Sequence, residues 1–186
     1  MLKKYVMKMK RELKSVGISK HTPVEYIKTL AKDCEKCGHC CSYGSGYFVN
    51  EDIDRISKKL GIKKEKLKQD FLVELEIFNS NVHKAKLKNK DEKPFGPCIF
   101  FDEQDGCTIH EIKPLHCSLS KGCGSYGEYI SEWFTLNYLV KPHDPESIRQ
   151  WAQYLKTCET IPGGQLHELV PDKDKLSKIL NYEIIK

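Results

Sequence analysis

The sequence predicts a mainly α-helical fold with a small irregular β-hairpin, a single compact domain built around a cysteine-ligated metal centre. Helix-spaced apolar residues recur along most of the chain, while strand-like alternation is confined to short stretches between residues 73 and 110. Nine of the 186 residues are cysteine, and eight of those fall into two close groups. A chain of this length, 39% hydrophobic and 31% charged, is enough for one buried core and is neither disordered nor collagen-like.

The elements follow in order. Leu2, Val6, Met9, Leu13 and Val16 lie on one helical face with lysines opposite, and Gly17 closes the helix. Thr22-Pro23-Val24-Glu25 opens a second helix, with Thr22 as cap and Glu25 completing a capping box, running to about Asp33. A loop from Cys34 to Gly46 follows, with Gly38, Gly44 and Gly46 permitting sharp turns. Asn50 caps a helix over residues 51–60 that carries Ile53, Ile56 and Leu60 and stops at Gly61. Another short helix covers 63–72, and weak alternation places strands at 73–78 and 82–87. Cys98–Phe101 and Cys107–His110 read as strands joined through Asp105-Gly106, a hairpin turn pair. Gly127–Val140 is mostly helical, Asp144-Pro145 starts a helix to about Thr157, and Pro171 opens the last one. Residues 1–20 thus form a basic amphipathic helix with its connection. Residues 21–186 form the single metal-binding domain, with its cysteine core at 34–123 and a helical part at 127–186.

Charge is concentrated at one end. Residues 1–20 hold seven basic side chains against Glu12, so a chain of net charge +5 is nearly neutral elsewhere. Only Arg11, Arg55 and Arg149 are arginine, and lysine lacks the bidentate fork that reads bases and phosphates; nucleic acid is not an expected partner. The N-terminal helix either packs on the domain with a solvated lysine face or docks on an acidic protein or redox partner. No apolar run reaches membrane-spanning length. The start MLKKYVMKMKRELK has no apolar signal core, so the expected compartment is the cytoplasm, where clustered thiols bind metal or do redox work.

The first cysteine group is Cys34, Cys37, Cys40 and Cys41, a CxxCxxCC run; the second is Cys98, Cys107, Cys117 and Cys123. Tight C-x-x-C turns converge thiolates, which are soft ligands suited to zinc or iron–sulfur clusters. Neighbouring side chains diverge in extended backbone, so the Cys40-Cys41 pair favours a polynuclear centre or two metals over one tetrahedral zinc. The eight cysteines make either one cluster with spare thiols or two four-ligand sites, and the spacing suits both iron–sulfur and zinc. Cys158 stands apart and reads as a core residue. His39, His110 and His116 are expected to hydrogen-bond near sulfur rather than to ligate. The glycine-rich stretch 122–127 would let amides approach a cluster sulfur.

The two groups together resemble the zinc- or iron-chelating cysteine-cluster family sometimes called the YkgJ type, whose relatives include the flagellin lysine N-methylases. The resemblance rests on Cys34–Cys41, Pro97–Phe100, Gly106–Glu111, Lys113–Cys117 and Cys123, with Asn50–Leu72 as the helical insert between the signatures. This sequence departs from the family in having Lys113-Pro114 where Arg-Pro is usual, Ser118 where an arginine follows the cysteine, and Cys123 in a Gly-Cys-Gly setting. The resemblance implies metal binding, iron–sulfur before zinc. The expected cofactor is then one or two [4Fe–4S] clusters held by thiolates of both groups, with zinc as the alternative, and the expected role is electron transfer or a modification reaction on a protein or small molecule. It also implies a S-adenosylmethionine-dependent protein-lysine methylase-like enzyme as an alternative, beside a structural zinc module for partner binding.

Overall fold

The computed structural model describes residues 17–31, 33–88, 93–119 and 124–184. The basic helix read over residues 2–16 lies outside the described residues, as does Cys123. Helices dominate as expected, but the β part exceeds one hairpin.

Helix α1 (Val24–Leu30) ends before Asp33, and its start differs from the capping box read in the sequence. Thr22 Oγ1 accepts the Ser19 N–H at 2.8 Å, while Glu25 pairs with Lys28 at 2.9 Å. Thr22 therefore closes the turn before the helix rather than capping it. A short helix α2 (His39–Tyr43) occupies the stretch expected to be loop. Strand β1 (Tyr47–Phe48) leads into α3 (Asn50–Leu60), which Gly61 ends with φ 68°. Asn50 is already inside α3; Asp52 takes over its expected job by accepting the Val49 N–H at 3.1 Å. Then come α4 (Lys64–Phe71), β2 (Leu72–Ile77) and β3 (Ser80–Ala85). The β2–β3 turn is Phe78-Asn79, both left-handed at φ 49° and 54°, the backbone that matches the twist of a two-residue hairpin. These strands form an antiparallel sheet of order β1-β3-β2.

The second hairpin is displaced from its expected place. Its strands are β4 (Phe101–Asp102) and β5 (Gly106–Cys107). The Asp102 carboxylate accepts the N–H groups of Gln104 and Asp105 at 2.8 and 3.0 Å. That Asx turn bends the chain over 103–105, so Gly106 already lies in β5 and not in the turn. A 3₁₀ turn (His110–Ile112) and a one-turn helix α5 (Leu115–Ser118) follow. Helix α6 (Gly127–Phe134) runs on as a π turn (Thr135–Leu139). In α7 (Pro145–Tyr154), Asp144 caps as expected by accepting the Ser147 N–H at 2.8 Å. A short α8 (Leu166–Leu169) had no sequence signal, and α9 (Lys173–Leu180) is capped by Asp172, not opened at Pro171.

The apolar residues gather in two clusters. The larger unites Ile18, Ile27, Ile130, Phe134, Leu136, Ile148, Trp151 and Ile179. The smaller holds Phe48, Ile53, Ile56, Leu67, Leu72, Ala85, Phe100 and Ile109. Buried ring donors are matched: Trp133 Nε1 donates to the Thr22 carbonyl at 2.9 Å and Trp151 Nε1 to the Gly164 carbonyl at 2.8 Å. Arg149 is buried yet fully engaged. It pairs with Glu146 at 2.8 Å and donates to the Ile179 and Ile184 carbonyls, each at 2.9 Å, so that it ties α9 to α7.

Trp151 is fully buried, so Trp151→Ala should cost about 3–5 kcal/mol of stability, read as a lower urea midpoint. Tyr154→Ala, on the half-exposed end of the same helix, should cost much less.

Candidate metal centre

The first cysteine segment enters from α1 and turns tightly. Lys36 and Gly38 both take left-handed backbone, at φ 56° and 72°. Gly38 also lies against Phe101, where a Cβ would come within 2.9 Å of the ring. These bends feed Cys40 and Cys41 into α2. On a helix, consecutive side chains are not forced to opposite sides, and the Cys40 and Cys41 Sγ atoms lie 4.0 Å apart. The divergence expected of an extended Cys–Cys pair therefore does not apply here.

The second segment is sewn to the first by backbone. Cys98 N–H donates to the Cys41 carbonyl at 2.7 Å, and Ile99 N–H to the Lys86 carbonyl at 2.8 Å. Cys98 also bridges Leu87. Cys107 ends β5, and Cys117 rides on α5. Gly46 supplies the floor beneath Cys117: a Cβ there would overlap the Cys117 Sγ. Gly44 and Gly46 thus differ from their expected role as turn residues. Gly44 is extended at φ 179° with open space around its Cα, and Gly46 is a cradle for sulfur.

Cys34, Cys40, Cys41, Cys98, Cys107 and Cys117 line one cavity of about 50 Å³. This is several times the roughly 10–15 Å³ that admits one water. Phe48, Ala85, Phe100 and Ile109 form its apolar wall, and His110 and Lys113 complete the lining. Among the described residues no disulfide joins the cysteines, and no three or more His, Cys, Asp or Glu side chains are spaced around a single ion. The thiols are spread around the cavity instead of pointing at one spot.

Their electrostatics are those of crowded acids. The hydrogen bond with Cys40, burial, and the neighbouring Cys107 and Cys117 all push the Cys41 thiol up. Burial pushes Cys107 up too, with Cys34 and Cys40 adding to it, while the Ile109 N–H and Lys113 pull the other way. Such a set ionises only beside positive charge, which is what a bound metal supplies. The donor chemistry, the apolar wall and the Gly46 cradle therefore fit a thiolate-bound metal.

The other candidates separate clearly. Cys37 is exposed and does not line the cavity. Cys158 follows α7, half-buried beside Thr157 and outside both apolar clusters, so it is not the core residue expected of it. His110 lines the cavity and lies 3.4 Å from Lys113 Nζ. His116 is buried but turned away from it: Nδ1 faces the Tyr47 N–H at 3.4 Å, and the ring packs on Phe134 with centroids 4.7 Å apart. His39 packs on Tyr43. Residues with no sequence signal matter as much. Ser45 donates to the Ala85 carbonyl at 2.6 Å beside the cavity, and Asp52 and Arg55 reach the Cys117 segment from α3.

A small helical domain that gathers clustered thiols around an apolar cavity is a metal-chelating cysteine-cluster protein. Residues 33–159 match the sequence profile of the CxxCxxCC family, described as a candidate zinc- or iron-chelating domain, and the chain belongs to that family. It is also similar to the uncharacterized protein MJ0661 of Methanocaldococcus jannaschii, 27% identical over 95 residues that make up 50% of this chain and 46% of the relative. The chain thus spans about half the length of that curated relative. No solved structure matches it. Among the described residues no helix is long and apolar enough to cross a membrane.

Gly46→Ala should drive its methyl into the Cys117 sulfur and weaken metal retention by about 10–100-fold, the range found when groups that orient a ligand are changed. Thr157→Ala, which lies outside the cavity, should retain metal like the unaltered protein in the same chelator competition.

Proposed function

We propose that the chain holds a polynuclear iron–sulfur centre, a [4Fe–4S] cluster in the first instance, and serves electron transfer with a protein partner. The observation that carries this reading is the gathering of six cysteines around one apolar-walled cavity. One tetrahedral zinc takes four ligands, and thiols spread around a cavity suit a centre of several irons better than a single ion. The apolar wall of Phe48, Phe100 and Ile109 keeps water back, and burial with hydrogen bonding to sulfur is what sets the potential of such a centre. Bound there, the centre would supply a reversible one-electron change. The chain's own residues hold the sulfurs, exclude solvent and place Lys113 as the nearby positive charge.

A second reading has its own support. The 4.0 Å between the Cys40 and Cys41 sulfurs is close to the edge of a zinc tetrahedron, about 3.8 Å for Zn–S bonds of about 2.3 Å. A zinc centre would make the chain a structural module, its loops tied together for partner binding.

Anaerobic purification decides between them. The iron–sulfur reading expects a brown protein with iron and acid-labile sulfide in equal amounts; stoichiometric zinc without labile sulfide would sink it. Cys41→Ser and Cys117→Ser should each weaken metal retention by more than the roughly 10–100-fold of ligand-orienting changes, whereas Cys158→Ser should keep full metal content.

A further inference from the structure

We infer that the Asp52 carboxylate, helped by Arg55, is the positioning device that sets Cys117 against the cavity, although neither residue belongs to a cysteine segment or lines the cavity. The inference rests on reading the cavity as a metal centre.

Helix α5, which carries Cys117, has only four residues. One turn fixes several backbone angles for very few internal hydrogen bonds, so it does not stand by itself. Its first N–H groups have no partner within the helix. The Leu115 N–H is taken by Asp52, whose two oxygens both lie 3.1 Å from it. The same carboxylate accepts the Val49 N–H at 3.1 Å and pairs with Arg55 Nη2 at 2.6 Å. Arg55 then spans to the chain just before α5, with Nη1 donating to the Ile112 carbonyl at 2.8 Å and Nη2 to the Lys113 carbonyl at 3.1 Å.

The placement gives this clamp its purpose. Val49 follows Gly46 by three residues, and Leu115 precedes Cys117 by two. Gly46 and Cys117 Sγ are in turn packed so closely that no side chain fits between them. One buried carboxylate therefore ties together the two backbone segments whose contact forms that wall of the cavity. Asp52 is 3% exposed, and a charge so buried is retained only with partners on its lone pairs; here those partners are two backbone N–H groups and a guanidinium. Arg55 is the matching half, because only a planar fork can hold two carbonyls and a carboxylate together.

Two substitutions separate positioning from general stability. Asp52→Asn keeps the shape but turns an amide N–H₂ toward donors. Arg55→Lys lies on a half-exposed side chain and leaves folding intact, yet a single ammonium cannot span the two carbonyls. The control is Asp144→Asn, another helix-terminal carboxylate, which caps α7 and does not line the cavity. The full chain, purified anaerobically, is treated with an alkylating agent and mapped by mass spectrometry; metal loss to a chelator is followed in parallel. Asp52→Asn and Arg55→Lys should each speed Cys117 alkylation about tenfold and weaken metal retention by about 10–100-fold. The rate at Cys158 should not change, and Asp144→Asn should do neither. Unchanged Cys117 reactivity in both variants, or an equal gain in Asp144→Asn, would overturn the clamp. If the unaltered chain carries no metal but both variants still expose Cys117, the clamp stands and the metal-centre reading falls.

Discussion

Ionising crowded thiols in an apolar cavity is unfavourable unless positive charge is brought in with them, and much of this structure answers that constraint. Each sulfur near Cys41 and Cys107 makes the next harder to ionise, and burial adds to it. A metal reverses the sign: it wants thiolates, and it is held most firmly where water is kept away. The fold meets both needs. Phe48, Ala85, Phe100 and Ile109 of the smaller apolar cluster wall the cavity, and the larger cluster holds Trp151, Phe134 and Ile148.

The two cysteine segments do not hold themselves in place. Cys41 and Cys98 are joined by a backbone hydrogen bond, Ser45 is pinned to the Ala85 carbonyl, and α5 hangs from Asp52. Each of these ties crosses from one stretch of chain to another distant in sequence. The cysteine-lined cavity is thus a property of the whole α3–sheet–α5 assembly, and the cysteine motifs supply only its sulfurs.

This explains what was legible in the sequence. Local signals read correctly: Gly61 ends α3, Asp144 caps α7, and alternation marks the β2–β3 hairpin. The clustering of cysteines was legible because spacing along the chain is itself the signal. What was not legible depends on contacts between remote residues or on competition within a turn. Asp102 captured two amides and moved the second hairpin. The sequence argument from Cys40 and Cys41 rests on extended backbone, but the left-handed bend at Gly38 starts a helix instead. Asp52 carries no signal in the sequence, since its partner Leu115 lies 63 residues away. Gly46 reads as a turn glycine in the sequence, because the Cys117 sulfur packed against it comes from 71 residues further along the chain.

The central claim is that the cysteines serve one centre in one cavity, and not two independent four-cysteine sites. Diffraction from anaerobically grown crystals of the full chain, collected across the absorption edges of iron and zinc, locates each metal directly. The account predicts iron peaks confined to the space bounded by Cys34, Cys40, Cys41, Cys98, Cys107 and Cys117. Two separate zinc peaks, one within the 34–41 group and one within the 98–123 group, would contradict it.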